Sequence, residues 1–153
     1  MPMGRVLHLW LLDLESGRAT DLFEGAALEL PLDSEGHAGF DASPDGRHVA
    51  FVHDPATTPL LGNRRRLSEI NLRSRRVKRL ADDAAWDFAA PRYSPDGRHV
   101  ACTAAHVGRE HTALHQLTVI ERGGAWQVLG DTWDHAVNAP LRWAADGNSL
   151  YFT

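Results

Sequence analysis

One eight-residue segment occurs twice in this chain, and its spacing limits the folds that the chain can adopt. The sequence Ser-Pro-Asp-Gly-Arg-His-Val-Ala fills residues 43–50 and again residues 94–101. A diverged third copy surrounds Asp146, whose spacing from the second copy's aspartate is close to the spacing between the first two. A fixed period of about fifty residues is typical of chains built from one repeated supersecondary unit.

Each copy contains the residues of a tight turn. Proline presets φ at the second turn position, aspartate suits the third, and glycine accepts a left-handed conformation at the fourth. The segments that follow the turns are rich in strand-forming residues, at 48–52, 99–103 and 149–153. The pattern predicts a hairpin at each copy.

A second kind of hairpin lies between these turns. Apolar segments at 9–14, 67–72 and 117–120 run into polar turns, and short strands follow at 19–23, 77–80 and 126–129. One period therefore holds four short antiparallel strands, with no sustained helical periodicity. The sequence predicts an all-β fold, a partial β-propeller of four-stranded antiparallel blades with about three blade-equivalents.

The phase of the repeat divides a single domain, residues 1–153, into two whole blades and two halves. The second half of a blade is predicted at 6–23 and the first half of another at 138–153. Whole blades are predicted at 37–80 and 88–130. Propellers usually need four to eight blades to close, so we expect this chain not to be a closed monomer.

Two kinds of partner would complete such an arc. In an edge-completing homodimer, residues 138–153 of one copy would complete the blade begun by residues 6–23 of the other, in a ring of six blades. Alternatively, the chain is a fragment of a longer propeller, and the missing parts of the parent protein cover its edges. Open strand edges invite pairing in either case.

Composition excludes several classes of function. The net charge of −4 gives no reason to expect nucleic acid or an anionic membrane as a partner. Cys102 is the single cysteine, so no intrachain disulfide can form. No apolar run is long enough to span a bilayer, and residues 6–12 are a poor match to a signal sequence. We expect a cytoplasmic protein.

The repeat has a recognisable pattern. The pattern is an aromatic residue followed by Ser-Pro-Asp-Gly-Arg-x-Val-Ala-Phe, with Asp-Leu-x-Ser-Gly one hairpin later. Residues 93–103 and 42–52 carry the first part, and residues 13–17 carry the second. This pattern resembles the TolB-like propeller repeat, which also builds the N-terminal propeller of prolyl oligopeptidase-family serine peptidases. Residues 9–17 and 86–97 look like the acylaminoacyl peptidases and dipeptidyl aminopeptidases of that family.

The resemblance implies a non-catalytic role for this segment. In those peptidases the catalytic serine lies in a separate α/β-hydrolase domain, and the propeller filters the peptides that reach it. These 153 residues contain no Gly-x-Ser-x-Gly, the motif that places such a serine. We expect peptides as possible ligands, and the alternative is a TolB-like protein-interaction scaffold without enzymatic activity. We assign no catalytic, cofactor-binding or metal-binding residue.

Several histidines and the cysteine are nevertheless candidates for chemistry. Zinc could use His106, His111 and His115, but a solvated interstrand loop is the favoured interpretation. His48 and His99 occupy equivalent positions after the turn, which favours a structural role in each blade. Cys102 is predicted to be a buried apolar side chain rather than a nucleophile.

Charged and aromatic residues have similar alternatives. A phosphate-binding patch could be formed by Arg64, Arg65, Arg66, Arg73, Arg75, Arg76, Lys78 and Arg79. A solvated outer edge is favoured, because no aromatic residue lies among them. A cation or a peptide amino group could be bound by Asp82, Asp83, Asp87, Asp131 and Asp134, but loop solubility is the favoured explanation. Blade packing is predicted for Trp10, Trp86, Trp126, Trp133 and Trp143.

Overall fold

The computed structural model describes residues 7–31, 39–53, 65–108, 114–130 and 132–153. Throughout these ranges the chain forms strands, turns and connections, and the described residues include no helix that could span a membrane. The strands within these ranges form four antiparallel sheets, two with four strands and two with two strands. The predicted fold class, an all-β partial propeller, is confirmed.

The strands follow the repeat. In chain order they are β1 (Trp10–Leu12), β2 (Ala19–Asp21), β3 (Phe40–Ala42), β4 (His48–His53), β5 (Arg66–Asn71), β6 (Val77–Ala81), β7 (Trp86–Tyr93), β8 (His99–His106), β9 (Gln116–Glu121), β10 (Trp126–Leu129), β11 (Arg142–Trp143) and β12 (Leu150–Tyr151). Strands β3 to β6 form one up-and-down sheet, and strands β7 to β10 form the next. The remaining strands form a β1–β2 hairpin and a β11–β12 hairpin.

The tight turns have the geometry that their sequence demands. Gly97 has a φ of 69°, a left-handed conformation that other residues adopt at a cost, and its N–H donates to the carbonyl of Ser94 at 2.9 Å. The Ser94 hydroxyl donates to Asp96 Oδ1 at 2.5 Å and accepts the N–H of His99 at 2.9 Å. These bonds close the turn and set the register of the two strands that it joins.

The core consists of three apolar layers, each between successive sheets. The β1–β2 hairpin packs on the first complete sheet through Phe23 and Phe51, whose ring centroids are 4.9 Å apart. The two complete sheets bury Leu67 against Phe88 and their neighbours. The β11–β12 hairpin covers the other face of the second sheet through Val137 and Leu141. Sheets therefore stack in chain order, as blades do.

The first strand of the second sheet differs in detail from the sequence prediction. Trp86 and Asp87 lie inside β7, although the predicted blade begins at residue 88. The strand is longer because a bulge between Ala89 and Arg92 shifts the register against β8. Ala90 has a φ of 53° in this bulge, a conformation that β-strand residues do not adopt in a regular ladder.

The Asp96 turn gives the fold a predictable response to acid. Hydrogen bonds from Ser94 and then from the Arg98 N–H hold the pKa of Asp96 below its usual value. Because the folded pKa is lower than the unfolded one, the carboxylate stabilises the fold above about pH 4, and this contribution is lost as the pH falls through the folded-state pKa. Thermal unfolding should show that Asp96→Asn lowers the Tm at neutral pH. The variant should also lose less Tm than the original chain between neutral pH and about pH 3.

The matched control is Asp134→Asn, because the Asp134 side chain is exposed and lies outside any turn of this kind. We expect this variant to keep the Tm and the acid dependence of the original chain. An Asp96→Asn variant with an unchanged slope of Tm against pH would contradict this account of the turn.

Candidate functional site

A buried carboxylate joins the two complete sheets. Glu69 lies in β5 and is 6% exposed. Its Oε2 accepts a hydrogen bond from the Tyr93 hydroxyl at 2.7 Å and lies 2.8 Å from Nε of Arg122. Burial, followed by the hydrogen bond to Glu69, raises the pKa of Tyr93 far above its usual value, so the phenol remains a donor. One carboxylate thus binds two groups of the neighbouring sheet. We call the cluster of Glu69, Tyr93 and Arg122 the Glu69 joint.

A residue of β3, the first strand of the first complete sheet, also contacts the Glu69 joint. Asp41 Oδ2, in β3, accepts the backbone N–H of Tyr93 at 2.8 Å. The Arg122 guanidinium carbon lies 5.7 Å from the centroid of the Tyr93 ring, within the range of a cation–π contact. These groups satisfy one another, so the arrangement fixes the angle between two blades and contains no activated nucleophile.

A cleft of about 480 Å³ lies beside the first strands of neighbouring sheets, and we refer to it as the inner cleft. Strand β7 contacts both β3 and β11, so the first strands lie next to one another. The lining residues are Arg92, Tyr93, Pro95, Pro140, Leu141, Arg142 and Trp143. Charge in this cleft comes from two arginines that occupy the same position in successive repeats.

Neither arginine of the inner cleft forms an ion pair with any residue that the structure describes. Arg92 is half-buried, and its Nη1 donates to the carbonyl of Pro91 at 2.6 Å. Trp143 Nε1 donates to the carbonyl of Arg92 at 3.1 Å, which holds the indole against that strand. Arg142 is exposed. Two guanidinium groups beside aromatic rings can bind a carboxylate.

A second cleft, the outer cleft, has a volume of about 680 Å³. It lies between the outer strands β9 and β10 and the β11–β12 hairpin. Apolar lining comes from Leu117, Val119 and Leu129 on one side and from Leu150 on the other. In a complete blade, third and fourth strands continue outward from the second, so this cleft occupies the place of an outer hairpin.

Two of the three candidate zinc ligands, His106 and His115, lie within the described residues. His106 packs edge-on against Trp86, with ring centroids 5.1 Å apart, and its Nδ1 accepts the N–H of Gly108. Burial lowers the pKa of His115, which favours the neutral ring. His111 lies outside the described residues. Among the residues that are described, no three metal-ligating side chains converge.

Three arginines of the basic segment pair with Asp82, which lies between the two complete sheets, or with Asp87, at the start of the second. Arg65 forms two-pronged contacts with Asp87, where Nη2 lies 2.7 Å from Oδ2. Arg66 and Arg79 both contact Asp82, and Arg66 Nε lies 3.0 Å from Oδ1. These aspartates and arginines therefore hold the edge of one sheet to the start of the next.

The rest of these charged residues are spread along turns. Arg75 has a φ of 60° and donates to the Asp21 carbonyl, while Asp83 Oδ1 accepts the N–H of Ala85. Exposed positions are occupied by Arg73, Arg76, Lys78 and Asp134, and Arg64 and Asp131 lie outside the described residues. Because these residues are dispersed, the described part of the segment forms no concave phosphate site.

Most of the other candidates make packing or hydrogen-bonding contacts. His48 Nε2 accepts the Asn71 amide at 3.0 Å, and His99 lines the outer cleft. Cys102 is fully buried, and burial raises the pKa of its thiol to about 12. Packing contacts are made by Trp86, Trp126, Trp133 and Trp143. The packing role predicted for Trp10 is wrong within the described chain, because that side chain is 60% exposed.

Sequence reasoning missed both arginines of the inner cleft and the Glu69 joint. A signal for the cleft was present, because Pro91-Arg92-Tyr93 and Leu141-Arg142-Trp143 occupy the same place before successive turns. The joint had no such signal, since its members come from distant parts of the chain and differ between repeats.

The stacked four-stranded sheets define a partial propeller, and the repeat within them is TolB-like, as the sequence predicted. The structure of TolB from Acinetobacter baumannii superposes with a TM-score of 0.65 at 24% identity, over 95% of this chain and 31% of that chain. This likeness shows the fold. No protein-family model matches the chain.

Two similar proteins are peptidases. The chain is 28% identical over 133 residues to Dipeptidyl-peptidase 5 of Schizosaccharomyces pombe. This match covers 86% of the chain and 19% of that protein. It is 26% identical over 152 residues to Dipeptidyl-peptidase 5 of Porphyromonas gingivalis, covering 95% of the chain and 22% of that protein. Dipeptidyl-peptidase 5 is a prolyl oligopeptidase-family member, so this distant relation agrees with the predicted resemblance. The chain spans about a fifth of each relative's length.

The Glu69 joint makes a testable contribution to stability. Removing the hydroxyl with Tyr93→Phe leaves a buried carboxylate oxygen with one donor fewer, which should cost about 1–3 kcal/mol in the free energy of unfolding. Urea unfolding followed by tryptophan fluorescence measures this change. Tyr151→Phe is the control, because Tyr151 is 64% exposed, and we expect it to be neutral. Equal stability of the two variants would contradict the assigned role of the joint.

Proposed function

We propose that this chain is a non-catalytic propeller segment of a prolyl oligopeptidase-type serine peptidase, where it gates peptide access and packs on a hydrolase domain. The observation that supports this most is the similarity to two dipeptidyl peptidases over nearly the whole chain. The absence of Gly-x-Ser-x-Gly from these residues agrees with chemistry performed elsewhere in such a protein. A cytoplasmic location remains a prediction.

The inner cleft supplies a physical means of contacting peptides. Its two arginines lack carboxylate partners among the described residues, and the ring of Trp143 forms a flat apolar wall beside them. A short peptide carries a terminal carboxylate, which a guanidinium binds with paired, charge-assisted hydrogen bonds. Under this proposal the inner cleft holds the carboxylate end of a peptide while it passes the propeller.

Binding of a matched pair of peptides tests this contact. We expect a tripeptide with a free C-terminal carboxylate to bind more tightly than its C-terminal amide, because only the carboxylate accepts charge-assisted hydrogen bonds. The double variant Arg92→Gln/Arg142→Gln should weaken binding of the free acid about tenfold or more, since such a bond contributes about 1.5–3 kcal/mol. Isothermal titration calorimetry measures both affinities.

The control variant is Arg73→Gln/Arg76→Gln, which removes the same charge from an exposed turn. We expect it to bind the tripeptide as the original chain does. Equal binding of acid and amide, or an equal effect of the two double variants, would contradict peptide capture in the inner cleft.

A separate measurement addresses the non-catalytic role. The purified chain should release no product from a chromogenic dipeptidyl or acyl-amino-acid substrate above the rate in buffer, because no nucleophile elbow is present in its sequence. Turnover that persists after further purification and stops with a serine-directed fluorophosphonate would contradict it. The coding sequence downstream of Thr153 distinguishes the peptidase from a TolB-like scaffold, since only the former predicts a hydrolase domain with Gly-x-Ser-x-Gly.

A further inference from the structure

The two interfaces that the second complete sheet forms with its neighbours are not alike, although the repeat places an aromatic residue at each. Tyr93 and Trp143 occupy the same repeat position, at the end of the first strand of their sheets. Tyr93 is 6% exposed, and its hydroxyl reaches Glu69 in the preceding sheet. Trp143 is only half-buried and lines the inner cleft. The second interface therefore leaves accessible the kind of ring that the first one buries.

One difference between the repeats accounts for this change. Glu69 and Val119 each lie opposite the final alanine of the repeated octapeptide, so Val119 takes the place of Glu69 in the second sheet. A valine side chain has no hydrogen-bond acceptor to offer the following aromatic residue. The Trp143 N–H instead donates to the carbonyl of Arg92 at 3.1 Å. This bond keeps the indole beside the inner cleft.

The peptide group between Arg92 and Tyr93 holds this arrangement together. Its carbonyl accepts the Trp143 N–H, and its N–H donates to Asp41 Oδ2 at 2.8 Å. One peptide group thus links the first strands of three successive sheets, β3, β7 and β11. Hydrogen bonds in series polarise and strengthen one another. The indole and the backbone of Arg92 are therefore fixed relative to each other before a ligand binds, which lowers the entropy cost of binding.

The guanidinium groups beside the indole keep donors for a ligand. The bond from Arg92 Nη1 to the Pro91 carbonyl uses one of the five N–H donors that a guanidinium carries. Arg142 occupies the same repeat position one sheet later and is exposed. Donors arranged in this planar fork can bind both oxygens of a carboxylate.

Apolar surface borders these donors on several sides. Pro95 and Pro140 are exposed and line the inner cleft together with Trp143, and Leu141 lines it from the core. The cleft volume of about 480 Å³ lies within the range of about 300–1,000 Å³ that is typical of small-ligand pockets. The cleft is therefore suited to a ligand that carries a carboxylate and a large apolar group close together.

We propose that the inner cleft selects peptides whose last residue has a large apolar side chain. The C-terminal carboxylate binds Arg92 and Arg142, and the side chain next to it packs on the indole of Trp143. A C-terminal residue meets both requirements, because its carboxylate and its side chain branch from one Cα atom. This inference rests on the peptide capture of the proposed function and adds a class of substrate to it. Trp143 is then the residue that determines the specificity of the cleft.

Tripeptides of equal composition test this selection on the original chain by isothermal titration calorimetry. Ala-Ala-Phe should bind about tenfold or more tightly than Phe-Ala-Ala, because only Ala-Ala-Phe buries its ring next to the bound carboxylate. The C-terminal amide of Ala-Ala-Phe should bind more weakly than either free acid. Equal binding of the two free acids, with the amide weaker, would overturn the selection and leave peptide capture in place. An amide that binds as tightly as the free acids would contradict capture itself, and the selection with it.

A substitution of the indole tests the assigned role of Trp143. Trp143→Leu should reduce the preference for Ala-Ala-Phe over Phe-Ala-Ala about threefold or more, because leucine offers less apolar surface to the ring. The preference for free acid over amide should persist, since both arginines remain. The control Trp133→Leu removes a 46% exposed indole that does not line the inner cleft, and it should keep the full preference. Each result is a ratio of two affinities for one protein, so a general loss of stability does not imitate it. An unchanged preference in Trp143→Leu, or an equal loss in both variants, would overturn the assignment.

Discussion

The structure depends on burial of both faces of each complete sheet by its neighbours in the chain. Strand β8 shows this requirement, because Val100 and Cys102 pack toward the preceding sheet while Ala101 packs toward the β11–β12 hairpin. A single blade would leave both apolar faces in water, so blades are stable only as a stack. The Glu69 joint adds direction to this packing, since its hydrogen bonds are satisfied at one angle between the sheets.

Local sequence determined the elements that depend on neighbouring residues. The Asp-Gly turns, the four-strand period and the buried Cys102 follow from turn chemistry and strand propensity. The bulge at Ala90 and the Glu69 joint did not, because each depends on contacts between residues far apart in the chain. Trp10 shows the same limit: the repeat placed it on a strand correctly, but no described neighbour covers it.

The function of the chain is less directly determined by its sequence than the fold is. The similarity to dipeptidyl peptidases covers most of the chain but only about a fifth of those proteins. The repeat also places Arg92 and Arg142 at equivalent positions on inner strands, where the described residues offer them no carboxylate. The proposed filter for peptides would use this polar contact on the inside and the joints between blades.

Backbone hydrogen exchange tests the central claim that the complete sheets are stable only as a stack. The account predicts that the amides of β4 and β8 exchange slowly and with the same free energy of opening. Slow exchange in one of these two strands together with fast exchange in the other would contradict it.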